Sequence, residues 1–448
     1  MLYGPTAEAR MRAKCRRTGL FPVEMKFRYA LDERLKIAPL LMYGLQWLLM
    51  AIPVVLTSTF VARLHYDAAA DQIFYIQKLF FTMGVAIIVQ VLWGHRLPLM
   101  SGPAAVLIIG VVAASSASVQ ATYTAIAIGG VLLALLAASG WLKRLQPLFT
   151  PRVIIVILAL IAFTIMPVFM NLIFGSGGNG ILNFSMAIML ALLMVLANKL
   201  LPGLWKSTVV LLALAVGSVV YYGFEGWPAG DALAVGKPAV PLITWPLEVD
   251  AGTIIAFLFC YVALLVNELG SIQSVAKFVD ADHVEKRSTR GVVTVGLINA
   301  LSGMFGVVGH VDYSFSPGII SASGCASRYA LLPAGVGLVV CAMFPEAVGV
   351  LSAIPSPVMG TVLMYLMAAQ LAAAFQMVNM FGATSDFDGG ITVGLPVMLA
   401  LVVALAPAEA TAAIPSLLKP IVGNGFVMGV LFVLLLEHVV FRKRRKRP

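Results

Sequence analysis

An ionisable side chain at the centre of a membrane costs about 2.5–3.5 kcal/mol or more, so one that stays there marks a function. Of the 20 acidic residues in this chain most lie in polar stretches, and two lie deep inside apolar runs: Glu268 and Asp312, with His310 two positions before the aspartate. Glu346 and Glu437 sit nearer the run ends, where snorkelling or a cap accounts for them. A carboxyl group in an apolar setting can take up and release a proton near neutral pH and can accept N–H groups of a solute. Glu268, Asp312 and His310 are therefore candidates for proton coupling, and Glu268 also for substrate binding. The plainer alternatives are a helix–helix hydrogen bond for Glu268, a tie for irregular backbone for Asp312, and a satisfied core residue for His310.

Two of the apolar runs are interrupted. One contains Ser101-Gly102-Pro103-Ala104, the other His310-Val-Asp-Tyr-Ser-Phe-Ser-Pro317-Gly318. Proline and glycine in mid-run free backbone groups and open the helix. Each break offers N–H donors and the positive end of a half-helix. Two such ends facing one cavity suit a flat, hydrogen-bonding or weakly anionic solute, on which Phe315 can stack. Ser101, Gly102, Ala104, Ser316 and Gly318 join Phe315 as substrate-binding candidates.

These breaks need elements that bring them together. Of the 448 residues 60% are hydrophobic and 11% charged, and the mean hydropathy is +0.97. A soluble fold of this length needs far more polar surface. Apolar runs fall near 37–63, 74–93, 97–115, 121–141, 152–174, 179–198, 204–222, 251–272, 290–309, 310–328, 329–351, 356–380, 391–406 and 416–441. The expectation is an all-α polytopic membrane protein with fourteen crossings of about 20 residues each. The long apolar runs exclude an outer-membrane barrel, and the distribution of charge excludes a nucleic-acid binder. All of the 30 Lys and Arg residues except Arg63, Lys78, Lys237 and Lys419 fall on one side of this topology, which places both termini in the cytoplasm. The basic tails, 1–36 and 442–448, then face lipid headgroups of the inner membrane. The four cysteines share no metal-like or disulfide-like spacing, and no nucleophile–base pair or phosphate loop suggests an enzyme. No cofactor is expected.

The broken runs are third in the first seven and third in the second seven. Seven is odd, so residues 37–222 and 251–441 form inverted repeats joined by an outer connection, 223–250. Short, broken crossings at matching positions of inverted halves point to a transporter with its site at the midplane.

At this point the chain resembles the nucleobase–ascorbate transporters, the nucleobase–cation symporter group that includes uracil and xanthine permeases. The resemblance rests on Tyr29-Ala-Leu-Asp-Glu33, Tyr43-Gly-Leu-Gln46, Arg96-Leu-Pro98 with Gly102, Gly318-Ile-Ile-Ser-Ala-Ser-Gly324-Cys-Ala-Ser-Arg328-Tyr329, and Ile354-Pro-Ser-Pro-Val-Met-Gly360. It implies a core of crossings 1–4 and 8–11, a gate of 5–7 and 12–14, short extended stretches in crossings 3 and 10, an elevator-like motion and homodimers. It adds Gln46, Ala105, Asn267 and Ser271 to the substrate site. In crossing 1 the family carries Gln-His where this chain has Gln46-Trp47. Anchored on Gly270, the family's glutamate falls on Asn267, and Glu268 lies about 100° further round a helix. Either Asn267 binds the base, or a local shift brings Glu268 in. Anchored on Gly318, the pair that reads the base edge corresponds to Phe315-Ser316.

The leading functional expectation is proton-coupled import of a nucleobase of the xanthine, urate or uracil kind. A small-anion transporter or exchanger on the same architecture is the alternative, and a membrane sensor or scaffold without transport the second.

Overall fold

The computed structural model describes residues 27–441 except 57, 115–116, 146–147, 176–178, 202–208, 228–237, 244–246, 314–315, 353, 408–413, 415–417 and 419–421. The basic residues before Phe27 and after Phe441, Cys15, Lys206, Lys237, Phe315 and Lys419 lie outside the described residues.

The order of elements is α1 (Ile37–Leu56), α2 (Thr59–His65), α3 (Ala69–Leu92), β1 (Ser101–Pro103), α4 (Ala105–Ala113), α5 (Val119–Ala138), α6 (Leu142–Leu145), α7 (Pro151–Thr164), α8 (Met166–Phe174), α9 (Gly180–Leu200) and α10 (Val209–Glu225). The second half runs α11 (Ala251–Phe278), α12 (Val284–Met304), β2 (His310–Asp312), α13 (Ser316–Ser323), a 3₁₀ turn (Arg328–Leu331), α14 (Leu332–Ala342), α15 (Pro345–Ser352), α16 (Ser356–Phe381), α17 (Phe387–Ala404) and α18 (Gly425–Leu435), which ends in a π turn, Leu436–Val440. Among the described residues, seven helices are long and apolar enough to cross a membrane, and four shorter apolar helices accompany them.

Helix ends differ from the apolar runs where local chemistry intervenes. The first helix stops at Leu56, ahead of the hydroxyl residues Ser58 and Thr59, and Ser58 precedes the separate α2. Helix α12 begins at Val284, six residues before the apolar run, because Glu285-Lys-Arg-Ser-Thr-Arg290 is polar but compatible with a helix. Pro167 at the start of α8 divides the fifth run into α7 and α8.

Packing repeats itself between the halves. Helix α3 packs on α14 as α5 packs on α12, and both crossings are built on glycine. A Cβ at Gly130 would come within 2.5 Å of the Ala300 nitrogen, and one at Gly296 within 2.6 Å of the Ala134 nitrogen. In the other crossing, a Cβ at Gly84 would lie 2.6 Å from the Gly335 oxygen. Small residues that let backbones touch are how helices associate where there is no hydrophobic drive between them. Helices α7, α8, α16, α17 and α18 pack on one another, with α9 and α10 against α16. Met186, Leu190, Met194 and Leu214 form a second apolar cluster there with Val358 and Val362.

The connection between the halves is fastened to α3. The Asp71 carboxylate accepts the N–H groups of Ala239 (2.6 Å) and Val240 (3.1 Å). The Lys78 ammonium lies 3.4 Å from the Pro241 oxygen.

The crossing of α5 and α12 yields a direct prediction. Gly130→Ala forces backbone apart and is expected to cost about 1–3 kcal/mol, read as a lower melting temperature in detergent. Gly394→Ala, where a Cβ meets nothing within 4 Å, is expected to leave melting unchanged or raise it slightly.

Candidate functional site

The two interrupted segments meet. Strands β1 and β2 pair antiparallel, with Ser101 opposite Asp312, Gly102 opposite Val311 and Pro103 opposite His310. The ladder extends at both ends, where Ala104 donates to the Gly309 oxygen (2.8 Å) and Tyr313 to the Met100 oxygen (2.9 Å). All six strand residues are buried. Each strand leads into a short helix, α4 and α13. Neither Ala104 at the start of α4 nor any acid in the first turns caps these ends. The start of α4 therefore carries N–H groups without a side-chain cap, and no acid lies in the first turn of α13.

A two-stranded ribbon leaves backbone groups bare on both edges, and without water each must find a partner. On the β2 edge side chains act as the missing strand. Asn299 of α12 donates its amide to the His310 oxygen (3.1 Å) and accepts the His310 N–H (2.5 Å). Glu268 Oε2 accepts the Asp312 N–H (2.9 Å), and Ser271 Oγ donates to the Asp312 oxygen (2.8 Å). On the β1 edge Pro103 brings no donor, and its oxygen accepts the Tyr313 hydroxyl at 2.5 Å. Ser316 Oγ accepts the Met100 N–H (3.2 Å) and donates to the Tyr313 oxygen (3.0 Å).

Alternation along a strand puts His310 and Asp312 on one face with Ser101. The Ser101 hydroxyl donates to Asp312 Oδ1. Asp312 Oδ2 lies 3.0 Å from His95 Nε2, and both side chains are 0% exposed. His95 Nδ1 accepts the Leu97 N–H at 2.9 Å. That contact leaves the ring proton on Nε2, within hydrogen-bond distance of the aspartate. The Glu268 carboxyl neighbours that of Asp312, and its Oε1 has no hydrogen-bond partner. Two buried carboxyl groups, one imidazole and one hydroxyl thus share a buried centre. His310 points elsewhere, with Nε2 2.8 Å from Thr82 Oγ1 of α3.

The expected site residues divide in two. Ser101, Gly102, Ala104, Glu268, Ser271, His310, Asp312 and Ser316 converge on the ribbon and are buried. The side chains of Ser101, Glu268, Ser271, Asp312 and Ser316 bond within it. Gly318 lies in the first turn of α13. Gln46 is buried and partnered. Phe315 lies outside the described residues. Asn267 and Ala105 are half-buried, and no hydrogen bond to Asn267 is present among the described residues. Down the Asn267 face of α11, Ala263 is fully buried while Gly270 and Ser274 are exposed. Of the two registers open for α11, Asn267 is the side chain left accessible. His95, Asn299 and Thr82 escaped the sequence reading. His95 stands beside Arg96-Leu-Pro98, but its polar surroundings gave no sign of burial; Asn299 is an amide inside an apolar run and was legible as an anomaly.

The fold and this centre define a class: a polytopic membrane transporter with paired broken crossings. A family model described as "Permease family" (Xan_ur_permease) matches residues 38–409, and the chain belongs to this family of permeases. It is 25% identical to the xanthine permease of Bacillus subtilis, over 82% of this chain and 86% of that protein. It is 24% identical to the uric acid permease PucK of the same organism, over 91% and 96%. Among solved structures, the transmembrane domain of the cyanobacterial bicarbonate transporter BicA superposes with a TM-score of 0.64 at 15% identity, covering 84% of this chain and 99% of that one. Murine Slc26a9, an anion transporter in the inward-facing state, gives 0.62 at 13% identity, over 99% and 73%. At such identities the likeness concerns the fold.

The histidine–aspartate contact is testable. His95→Ala strands the Asp312 carboxylate and the Leu97 N–H, and is expected to cost about 2–4 kcal/mol. Asp312→Ala is expected to cost a similar amount. The double variant should lose clearly less than the sum of the two, as a double-mutant cycle on melting would show.

Proposed function

We propose that this chain imports a purine base of the xanthine–urate kind by proton symport through fourteen crossings in two inverted repeats. The observation that carries the reading is the position of Asn267: an accessible amide on α11, which lines the ribbon leading into two short half-helices. An amide offers a donor and an acceptor to a base edge, and the half-helix ends favour a solute with anionic character. Urate and xanthine combine both features. The permease family and the xanthine and uric acid permeases among its relatives support the substrate class.

In this reading the substrate lies against Asn267, Ala105 and the starts of α4 and α13. Glu268 and Asp312 stand one layer behind it. One proton resides between the two carboxyl groups, because two adjacent buried carboxylates repel strongly when both are ionised. Its arrival and departure set the charge behind the substrate. Crossings 1–4 and 8–11 form the moving body that carries the ribbon, and crossings 5–7 and 12–14 the gate against which it slides. Contacts between the two sets include α11 with α7 and α18, α4 with α7, and α1 with α10, together with side-chain bonds from Thr59 and Arg63 of α2 to Met359 and Ser356 of α16. A small-anion substrate is the second reading, favoured by a neutral residue at the accessible position where the family carries an acid.

Uptake of radiolabelled xanthine and urate by cells expressing the protein tests the proposal. A protonophore is expected to abolish accumulation. Asn267→Ala should reduce uptake by about tenfold or more, the effect of removing a buried polar contact. Glu268→Gln keeps an acceptor for the Asp312 N–H but cannot release a proton, and should end gradient-driven accumulation at normal protein levels. Full accumulation by that variant would remove Glu268 from the coupling. Saturable bicarbonate or sulfate flux without base uptake would establish the second reading instead.

A further inference from the structure

A cleft of about 150 Å³ lies apart from the ribbon, where the turn after α3 meets the start of α12. Gly94, Arg96, His283, Lys286, Arg287 and Arg290 line it, and no acid does. The backbone is shaped for it: Arg96 and His283 both hold left-handed conformations, with φ of 57° and 54°, which non-glycine residues adopt only where the surroundings enforce them. Arg287 is the fixed wall. Its guanidinium donates to the oxygens of His95 (3.1 Å), Arg96 (2.8 Å) and Asp282 (2.8 Å). Three acids stand outside the lining: Asp32, 4.0 Å from Arg287 with its carboxylate held by Arg328 at 2.6 Å, and Asp282 and Glu285, which flank His283 and Lys286 in the chain. Lys286 and Arg290 are exposed and form no ion pair among the described residues.

Like charges gathered around a concave space repel one another unless an anion fills it. Arginine with lysine is the donor set for a phosphate group. The start of α12 adds its own N–H groups, since His283 makes no side-chain cap there. Trp93, 62% exposed and adjoining Gly94, is of the residue type that gathers at the membrane–water interface. We infer that this cleft binds a phosphate ester: the headgroup of an anionic phospholipid, or a soluble phosphate that reaches the same cations from water. The occupied cleft would also brace the 94–96 turn, whose His95 contacts Asp312, so binding is linked to the stability of the ribbon.

The test uses the full chain and Lys286→Ala/Arg290→Ala, two exposed residues outside the transport site. Melting is followed in phosphatidylcholine micelles doped with phosphatidylglycerol, and separately in inorganic phosphate against chloride at equal ionic strength. The expected result is a rise in melting temperature with phosphatidylglycerol, and binding about thirtyfold weaker in the double variant, two surface cations at roughly fivefold each. Lys199→Ala, another basic residue outside the cleft, should bind as the parent does. A phosphate-specific rise that the double variant loses would identify the soluble source. Equal responses of parent and double variant to both probes would overturn the assignment.

Discussion

A peptide group inside a membrane has no water to fall back on, and the architecture of this permease follows from that constraint. The six residues of extended chain are held there with side chains standing in for partners that a wider sheet would supply. Asn299, Glu268 and Ser271 stand in for one neighbouring strand, and Tyr313 and Ser316 cover the other side. These side chains come from α11, α12 and the ribbon's own continuation. The ribbon therefore dictates where those helices sit, and the glycine crossings let them sit there.

The same constraint gives the acidic centre two duties. Glu268 is at once a backbone partner of Asp312 and a carboxyl group beside another carboxyl group. A residue that closes a hydrogen-bond ladder cannot easily swing out to greet a solute. In the proposed function recognition therefore falls to the adjacent face of α11, and charge is managed in the layer behind. Asp312 is held from three directions, by Ser101, His95 and Glu268, so its carboxylate has a fixed position.

Much of the helical membrane fold was legible in the amino-acid sequence, because apolar run length is set by the thickness of the bilayer. The matched breaks around Pro103 and Pro317 marked the two interrupted crossings, and the extended stretches that pair there were implied by the family resemblance. What the pattern could not supply was direction. Glu268 and Asn267 are neighbours in sequence and face different surroundings, and only packing decides which is covered. His95 was invisible for a related reason. It sits in a polar stretch between runs, where histidine carries no burial signal, and becomes part of the centre through a turn that folds back. Ser271 and Ser316 look like ligands for a solute by type and position, yet their hydroxyls are spent on backbone.

The fastening of residues 239–241 to Asp71 and Lys78 has a mechanical consequence. The strap that joins the halves is anchored to the helix that also carries Thr82, so under the proposed elevator-like motion it would travel with the ribbon. Slack for such a stroke would come from the stretch between Glu225 and the anchor, which if drawn straight reaches roughly 40 Å. On that proposal the length of the tether, more than its composition, would set the outer bound on the travel of one body past the other.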